Sequence, residues 1–299
     1  MRLPKCQGAN VSNAFTILSP RRQKAGINTT IRGRSLQVQW YRIARYARWR
    51  GRSCMAARLS GTLPVAYAAH YILGIMCGRF VQRYTWDDIQ DLYDLPDGPA
   101  RNLPAHYNVA PTDPVEVVRP ASGGVDELVS MRWGLVPWWW KKPLRQVPAS
   151  FNARAESVAD KPMFRDAFKR HRCVIPASGY YEWLKRPDGR QPYFISATDG
   201  SVLSFAGLWD RWKNPETGEP MISYTIIVTD ANALTRPIHD RMPVVLDKAD
   251  IRPWLSGEAG TELLKPAAED RLRMWPVSRC VNKAGTGDDD PTLLDEVAV

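Results

Sequence analysis

Residues 173–184 read CVIPASGYYEWL, a run in which apolar, β-branched and aromatic side chains predominate. Side chains of these types favour strands over helices. Three further runs of the same kind follow, and Pro, Gly, Asp and Asn separate them: 192–197, 202–212 and 223–228. Upstream, residues 114–119 and 127–133 flank a Gly-Gly turn, as the two strands of a hairpin do. Strands therefore dominate the predicted fold.

Three segments have the pattern of helices, and all three are short. Residues 85–92 begin with Thr and Asp in the positions of a capping box, with Asp as its acidic member. Residues 161–171 and 247–254 are the other two. Many strands with few helices predict an α+β fold. Its core is expected to be a strongly bent, mixed or antiparallel sheet or an open β-barrel, with the short helices at the periphery.

Charge divides the chain into two unlike parts. Residues 1–75 contain 13 of the 41 Lys and Arg residues and no Asp or Glu, whereas the rest of the chain has 28 basic and 31 acidic residues. The formal net charge of +10 is therefore +13 before Met76 and −3 from Met76 onward. Because the excess of basic residues lies upstream, net charge does not by itself predict nucleic-acid binding for the rest of the chain.

This division predicts the domain organisation. Residues 1–75 are interpreted as a basic extension that is disordered or is translated from a mispredicted start, with Met76 as the expected start. An Arg-rich segment without acids leaves a transit peptide or a nucleic-acid-binding arm as alternatives. Residues 76–285 are expected to form one domain, and residues 286–299 an acidic, flexible tail.

Cys77 is the first candidate for a reactive residue. If Met76 is the start and is removed, Cys77 carries an α-amine with a reference pKa of about 8 beside a thiol with one of about 8.5. An aldehyde can react with both groups, because the amine forms a Schiff base and the thiol then closes a thiazolidine ring. The alternative is an inert core residue, which most single cysteines are.

Two polar segments are further candidates. Asn152 and Arg154 alternate, so on an extended segment they face one side, where an amide and a guanidinium could hold a reacting group and a phosphate. From this segment alone, an Asn that caps a turn and a solvated Arg are the favoured interpretation. Glu182 lies between aromatic residues, and burial there would raise its pKa into the range of a general acid or base. The alternative is an edge-strand glutamate in water.

His239 and a basic, aromatic stretch complete the candidates. His239 lies in a Pro-bounded loop, where it either transfers protons near neutral pH or only bonds the neighbouring Asp. Residues 133–172 combine Trp138 and Trp139 with many Lys and Arg residues. Proteins that bind single strands use rings to stack on bases and cations to contact phosphates. The alternative is that the tryptophans belong to the core and the cations to a solvated helix end.

Six short strings stand out after residue 75. They are MCGRF (76–80), YNVAPT (107–112), WGLVPWW (133–139), FNARAE (151–156), CVIPASGYYEW (173–183) and IHDRMP (238–243). Together and in this order they resemble the SRAP family, the SOS-response-associated peptidase-like proteins. The resemblance extends from Met76 to about Val281, and residues 1–75 have no counterpart in it.

The resemblance implies a function in the DNA damage response. The exposed N-terminal cysteine would form a thiazolidine crosslink with the aldehyde of an abasic site in single-stranded DNA and thereby shield the site. Cys77 would be the nucleophile, Asn152 would orient the cysteine and the adduct, and Glu182 would act in acid–base steps. His239 would assist proton transfer and reversal of the crosslink. The family name also implies a self-cleaving peptidase activity that removes a few residues before the cysteine, and we do not expect it to remove all 76.

The resemblance also assigns DNA-binding residues. Arg79 and Arg154 resemble phosphate contacts, and Trp138 and Trp139 resemble base-stacking or wedging residues. The resemblance implies single-stranded DNA with abasic sites as the partner. In the sequence, nothing indicates a cofactor, a metal, a membrane or an obligate protein partner, and we expect a monomer. Few, widely spaced cysteines predict a reducing compartment, so we expect a cytoplasmic protein that associates with the nucleoid when bound to DNA.

Two other functions remain open at this level. One is a cysteine peptidase or amidase that uses Cys77, His239 and Glu182. The other is a module that binds single-stranded DNA without a covalent bond. An aldehyde trap needs the free amine of the cysteine, a thiol peptidase can use an internal cysteine, and a binding module needs neither.

Overall fold

The structure is a computed structural model that describes residues 77–285 and 287–299. The predictions for residues 1–75 and for a start at Met76 concern residues outside that range. The strands are β1 (Phe80–Gln82), β2 (His106–Val109), β3 (Pro114–Pro120), β4 (Asp126–Trp133), β5 (Asn152–Arg154), β6 (Arg172–Ala177), β7 (Gly179–Arg186), β8 (Gly189–Ala197), β9 (Leu203–Lys213), β10 (Pro220–Asp230), β11 (Arg241–Pro243), β12 (Val245–Leu246) and β13 (Leu272–Pro276). The α-helices are α1 (Trp86–Tyr93), α2 (Arg165–Arg170) and α3 (Lys248–Ser256). Short 3₁₀ helices cover Leu144–Gln146, Ala155–Ser157, Thr261–Leu263, Glu269–Arg271, Arg279–Asn282 and Pro291–Leu294.

Five of the strands close a barrel. Around it, β10 is followed by β4, β3, β6 and β9, and β9 pairs with β10 again. The β10–β4 pair is parallel and the other four pairs are antiparallel. Three short strands extend this sheet, because β5 and β11 pair with β10 and β12 pairs with β9.

A second sheet is antiparallel throughout and has the order β13-β8-β7-β1-β2. The chain passes into it within the run 173–184, which the sequence predicts as one continuous β-rich segment. The structure divides that run at Ser178, so that β6 belongs to the barrel and β7 to the second sheet. A Cβ atom on Gly179 would lie 2.4 Å from the Phe194 ring and 2.5 Å from the Ile195 carbonyl oxygen. Only glycine fits this close crossing.

Aromatic packing joins the two sheets. The Phe80 ring from the second sheet meets the Trp133 ring from the barrel edge-on, with centroids 5.1 Å apart. Trp133 in turn stacks on Tyr224 at 6.3 Å. All three side chains are at most 1% exposed, and burial of each contributes about 1.5–3 kcal/mol. Because β1 lies against the barrel, Cys77, just before it, lies between the two sheets.

The helices agree with the predictions in place but not always in length. α1 has both bonds of the predicted capping box: the Asp88 amide donates to Thr85 Oγ1, and the Thr85 amide donates to Asp88 Oδ2. α2 is shorter than the predicted helix 161–171, because residues 161–164 form turns before it. Asp247 occupies the N-cap position of α3, but its carboxylate pairs with Arg271 instead of capping the helix.

The C-terminal residues 287–299 pack on the second sheet, so the prediction of a flexible tail is wrong. The Asp288 carboxylate lies 2.5 Å from His106 Nδ1, and Leu293 is 3% exposed. The indole N–H of Trp275 donates to a carbonyl oxygen of the tail. The reason is that this acidic segment also contains apolar residues, which cover the edge of the sheet.

The predicted fold class is confirmed: strands dominate, the helices are short and peripheral, and the core is a curved sheet. The core is a closed barrel, whereas the sequence predicted a bent sheet or an open barrel. Closure depends on the long β9–β10 pairing, in which Pro220 to Ile226 face Lys213 to Gly207. Among the described helices, none has the length and apolar character needed to cross a bilayer.

Candidate functional site

Cys77 is held at both of its functional groups. Its backbone nitrogen donates a hydrogen bond to Glu182 Oε1 at 2.8 Å, and its thiol donates to the Arg241 carbonyl oxygen at 3.9 Å. The residue is 2% exposed. β7 thus provides the partner of the nitrogen, and β11 provides the partner of the sulfur. Burial, followed by the nearby Glu182 carboxylate, raises the pKa of the Cys77 thiol well above its usual range.

Glu182 is a buried carboxyl group, which excludes an edge-strand glutamate in water. It is 1% exposed, and burial raises its pKa from 4.5 to about 8, although the hydrogen bonds from Cys77 oppose the shift. Its second oxygen, Oε2, is buried and has no hydrogen-bond partner among the described residues. A carboxyl group with this pKa can donate or accept a proton near neutral pH.

Asn152 approaches Cys77 from the barrel. Its Nδ2 donates to the Cys77 carbonyl oxygen at 3.4 Å. β5 holds the residue in place, because Asn152 pairs with Ile226 of β10, and the Ile226 amide donates to the Phe151 carbonyl oxygen at 3.0 Å. The amide of Asn152 is therefore fixed beside the first residue of the predicted mature chain.

His239 lies in the loop between β10 and β11, where its side chain is 19% exposed. Its Nδ1 accepts a hydrogen bond from the Arg241 amide at 3.1 Å and also lies 3.1 Å from Asp240 Oδ1. Burial lowers the pKa of His239 and outweighs the opposing Asp240 carboxylate. A neutral ring with an accepting Nδ1 carries its proton on Nε2. The Cys77 thiol donates to the Arg241 carbonyl oxygen.

Arg241 is a site residue to which sequence reasoning assigned no role. Its Nη2 lies 2.6 Å from Glu156 Oε1 and its Nη1 lies 3.3 Å from Asp230 Oδ1. Its side chain is 16% exposed, and the bond to Glu156 raises its pKa. Arg241 thereby ties together the segment after β5, the end of β10 and the backbone that holds the Cys77 sulfur. In the sequence, the one indication of a role for Arg241 was its position two residues after the candidate His239.

Tyr180 is a second residue that sequence reasoning missed. It stands two positions before Glu182 on β7, so both side chains point to the same face. The tyrosine is 1% exposed, and its hydroxyl has no hydrogen-bond partner within the described part of the chain. Burial, with Cys77 and Glu182 nearby, raises its pKa. An unpartnered hydroxyl on this face adds a polar group to the walls around Cys77.

The predicted DNA-binding residues lie in different environments. Trp138 is 51% exposed, and Trp139 is half-buried with its ring centroid 6.2 Å from that of Trp140. Arg154 is exposed. Arg79 is half-buried, and its Nη1 donates to Asn108 Oδ1 at 2.6 Å and to the Val281 carbonyl oxygen at 2.8 Å. A phosphate would therefore compete with internal acceptors for Arg79, whereas Trp138 and Arg154 face solvent.

Away from Cys77, the described residues form a cavity but no group of metal ligands. A cavity of about 810 Å³ opens at the other end of β1 and β7, between the start of α1 and the C-terminal residues, and holds none of the predicted site residues. Within residues 77–285 and 287–299, no three His, Cys, Asp or Glu side chains are grouped as metal ligands. The polar groups that converge on one point are those around Cys77.

The arrangement combines five groups with separate chemical capacities. Cys77 has a nitrogen and a sulfur that can bond to the same carbon atom, and Glu182 can exchange a proton with the nitrogen. Asn152 holds the carbonyl of Cys77. His239 is a neutral imidazole beside the Arg241 amide, and Arg241 fixes the position of the sulfur. The structure thus brings the four predicted catalytic residues together, whereas the predicted DNA-binding residues differ in exposure: Trp138 and Arg154 are exposed, and Trp139 and Arg79 are half-buried.

Comparison with known proteins gives matches over most of the described residues. The family model for SOS response associated peptidase (SRAP) matches residues 76–284. Abasic site processing protein YoqW of Bacillus subtilis is 36% identical over 217 residues, which cover 69% of this chain and 94% of that protein. Abasic site processing protein YoaM of Bacillus subtilis is 36% identical over 215 residues, which cover 69% of this chain and 93% of that protein.

A solved structure gives the same result for the fold. A crystal structure of a protein from Bacteroides thetaiotaomicron superposes with a TM-score of 0.66 at 26% sequence identity. The superposition covers 74% of this chain and 100% of the chain from Bacteroides thetaiotaomicron. The six sequence strings, the residues gathered around Cys77 and these matches lead to one assignment: the chain belongs to the SOS response associated peptidase (SRAP) family.

Proposed function

We propose that the protein, when its chain begins at Cys77, forms a covalent thiazolidine crosslink with abasic sites in single-stranded DNA and so shields them during the response to DNA damage. One observation carries the proposal: the Cys77 nitrogen lies 2.8 Å from the Oε1 of a buried Glu182, with the thiol of the same residue beside it. The names of the relatives, abasic site processing proteins, support the choice of substrate.

The first step is attack by the amine. A free Cys77 amine at neutral pH is largely an ammonium group, and Glu182 at hydrogen-bond distance accepts one of its protons. The neutral amine adds to the aldehyde carbon of the ring-opened abasic sugar and forms a carbinolamine. Glu182 returns the proton to the hydroxyl, which leaves as water, and a Schiff base remains.

The second step is attack by the thiol. Burial keeps the Cys77 sulfur protonated, so it is not a ready thiolate nucleophile. It adds to the carbon of the protonated Schiff base, its proton passes to a nearby base, and the ring closes. Aldehyde and aminothiol thus give thiazolidine and water, without an oxidant or reductant. A cysteine peptidase would instead need a thiolate paired with an imidazole, and His239 Nδ1 is engaged by the Arg241 amide.

The backbone of Cys77 supports a chain that begins there. Its φ angle is +39°, in the left-handed region that costs a residue other than glycine about 1–2 kcal/mol. This torsion exists only while residue 76 is attached, because φ turns about the bond from nitrogen to Cα and is defined by the preceding carbonyl carbon. Removal of residue 76 abolishes the strain and also frees the amine, which as an amide cannot form a Schiff base.

Self-cleavage of the bond before Cys77 is a second candidate activity that the same contact favours. The Cys77 nitrogen is the leaving group when water adds to the carbonyl of residue 76 and the bond breaks. Glu182 is placed to give that nitrogen a proton, and a carboxylic acid remains on residue 76. Mass spectrometry of a variant that keeps only a few residues before Cys77 tests this: a new N-terminus at Cys77 is expected after incubation, and its appearance in Glu182→Gln at the same rate would rule out this role.

For the DNA itself, we propose that Trp138 and Trp139 stack on bases and that Arg154 contacts phosphate. Arg79 contributes only if it releases Asn108 or uses its remaining N–H groups. In the same proposal the protein acts as a monomer in the cytoplasm and joins the nucleoid when it is bound to DNA. Its partner is single-stranded DNA that contains an abasic site.

The test compares one protein before and after release of the Cys77 amine. A recognition sequence for a site-specific protease is inserted before Cys77 in the full chain, and cleaved and uncleaved samples are mixed with an oligonucleotide that contains one abasic site. On a denaturing gel, only the cleaved protein should give a shifted band. Equal bands in both samples, or none in either, would contradict the proposal.

Cys77→Ser is the matched control, because it keeps the amine and removes the sulfur. Cleaved Cys77→Ser should give no stable band alone and a band after borohydride reduction, since a Schiff base forms but cannot close the ring. Peptide or amide hydrolysis that survives acetylation of the amine would instead favour the cysteine peptidase. Salt-sensitive binding without any adduct would favour the non-covalent module.

A further inference from the structure

The segment Trp138–Trp140 is held from behind by side chains of the barrel. The Trp138 amide donates to Asp210 Oδ2 at 2.9 Å, and Trp212 Nε1 donates to the Trp140 carbonyl oxygen at 2.6 Å. Asp210 and Trp212 both stand on β9 and are 2% and 1% exposed. The backbone of an exposed tryptophan segment is therefore attached to two buried side chains.

Asp210 stands out because its carboxyl group is buried. Its Oδ1 accepts from the Arg211 amide at 2.8 Å and lies 3.5 Å from His171 Nδ1. A buried carboxylate is costly unless hydrogen bonds satisfy it, and an apolar residue would fill a barrel position at lower cost. Among the described residues, the carboxylate accepts from two backbone N–H groups, that of Arg211 within β9 and that of Trp138 outside it. Beyond its own strand, the carboxylate thus holds the Trp138 amide and lies beside the His171 ring.

The Trp138 ring itself lies in solvent. It is 51% exposed, the only large aromatic side chain among the exposed hydrophobic residues of the described chain. A ring on a mobile loop loses conformational entropy when a base stacks on it, whereas a ring on a fixed backbone has lost part of that entropy already. Fixing the amide of Trp138 therefore favours stacking without any contact between Asp210 and DNA.

We infer that Asp210 is a positioning residue for single-stranded DNA: by anchoring the Trp138 amide it holds the indole ring ready to stack on a base. This rests on the proposed role of Trp138 in DNA binding. The candidate site around Cys77 does not include Asp210, whose carboxylate contacts His171, Arg211 and Trp138. A substitution of Asp210 should then change DNA affinity only while Trp138 is present, and this condition can be tested.

A double-mutant cycle tests this condition with the full chain and a fluorescent oligothymidine that lacks abasic sites. Trp138→Ala should weaken binding about 10-fold, the loss of one stacked base. Asp210→Asn has only one accepting oxygen, so either the Trp138 or the Arg211 amide loses its acceptor. It should weaken binding about 5-fold in the parent and by less than about 1.5-fold when Trp138 is already Ala.

Asp126→Asn is the matched control. Asp126 is 3% exposed and pairs with Arg252 at 3.0 Å, so the same substitution removes a buried carboxylate elsewhere in the barrel. It should lower the unfolding temperature and leave DNA affinity unchanged. If Asp210→Asn does not fold, Trp212→Phe removes the bond to the Trp140 carbonyl and keeps an aromatic ring. That variant should weaken binding about 2-fold, again only while Trp138 is present.

Two results would overturn the inference, and they are distinguishable. An equal loss of affinity from Asp210→Asn in both backgrounds would mean that Asp210 supports the fold in general and not Trp138. Unchanged affinity in Trp138→Ala would mean that the proposed stacking role is wrong, and the inference would fail with it. Crosslinking by the cleaved protein at saturating DNA reports on Cys77 separately, so the proposed reaction is judged independently of either result.

Discussion

The centre around Cys77 and the segment Trp138–Trp140 are built in opposite ways. Cys77 and Glu182 are 2% and 1% exposed, and the bond between them joins residues 105 positions apart. Trp138 is 51% exposed, and its backbone amide is tied to the fold by a hydrogen bond to Asp210. Reactive groups with shifted pKa values need burial, whereas a surface for a long polymer must stay open. Variants at the first region should therefore change reaction rate, and variants at the second should change affinity.

Glu182→Gln should have the largest effect and would show whether the buried centre acts only on rate. The amide cannot take the proton from the Cys77 ammonium, so crosslinking by the cleaved protein should slow about 100-fold at saturating DNA. Affinity for undamaged single-stranded DNA should not change. Single-turnover gels and fluorescence anisotropy measure the two quantities. Glu116→Gln, which removes a carboxylate paired with Arg101, is the control and should alter neither.

The stability of the full chain should depend on pH through Glu182. Its pKa is raised in the fold from 4.5 to about 8, so between these values the folded state binds a proton that the unfolded state has lost. The contribution is fully present below pH 4.5 and is lost as pH rises through about 8. Within that window, each unit by which pH rises should lower the free energy of unfolding by about 1.4 kcal/mol through Glu182.

Denaturant unfolding at several pH values measures that slope. Glu182→Gln should remove it and be more stable than the parent at the upper end of the window. The same dependence in the variant and the parent would mean that Glu182 is not protonated in the fold. The cleaved protein should show a weaker slope, because a free ammonium at Cys77 favours the ionised carboxylate.

Arg241→Gln sharpens the comparison, because Arg241 lies in the buried centre and contacts no reacting atom through its guanidinium. Loss of its bonds to Glu156 and Asp230 should let the carbonyl that holds the Cys77 sulfur shift, and crosslinking should slow about 10-fold. Arg119→Gln is the matched control: its side chain is 18% exposed, against 16% for Arg241, and also pairs with a carboxylate. An equal loss of rate in both variants would point to general destabilisation.

Arg154→Ala should have the smallest effect and tests the open region. Loss of one phosphate contact should weaken binding to single-stranded DNA about 3-fold and lower the slope of log affinity against log salt concentration by about 1. Crosslinking at saturating DNA should be unchanged. Titrations at several salt concentrations measure the slope, and Arg190→Ala, an exposed arginine of β8, serves as the control. An unchanged slope in Arg154→Ala would count against the phosphate contact.

Features of the structure that depend on neighbours within a few residues could be predicted from local signals in the sequence. The capping box of α1, the hairpin of β3 and β4 and the strand-rich character from residue 173 onward are all of this kind. Other predictions were altered by distant contacts. The run 173–184 is divided because Gly179 meets Phe194, and the acidic tail is ordered because Leu293 and Asp288 find partners on the second sheet.

By itself, the sequence determined the chemical identities at the site: a cysteine whose nitrogen could become an amine, and an amide, a carboxyl group and an imidazole in recognisable strings. Only the tertiary structure decided their properties. Glu182 has a pKa near 8 because two sheets exclude water from it, and Arg241 matters because β11 places its carbonyl at the Cys77 sulfur. Burial and contacts between residues 105 or 164 positions apart arise from tertiary packing, which no local pattern encodes.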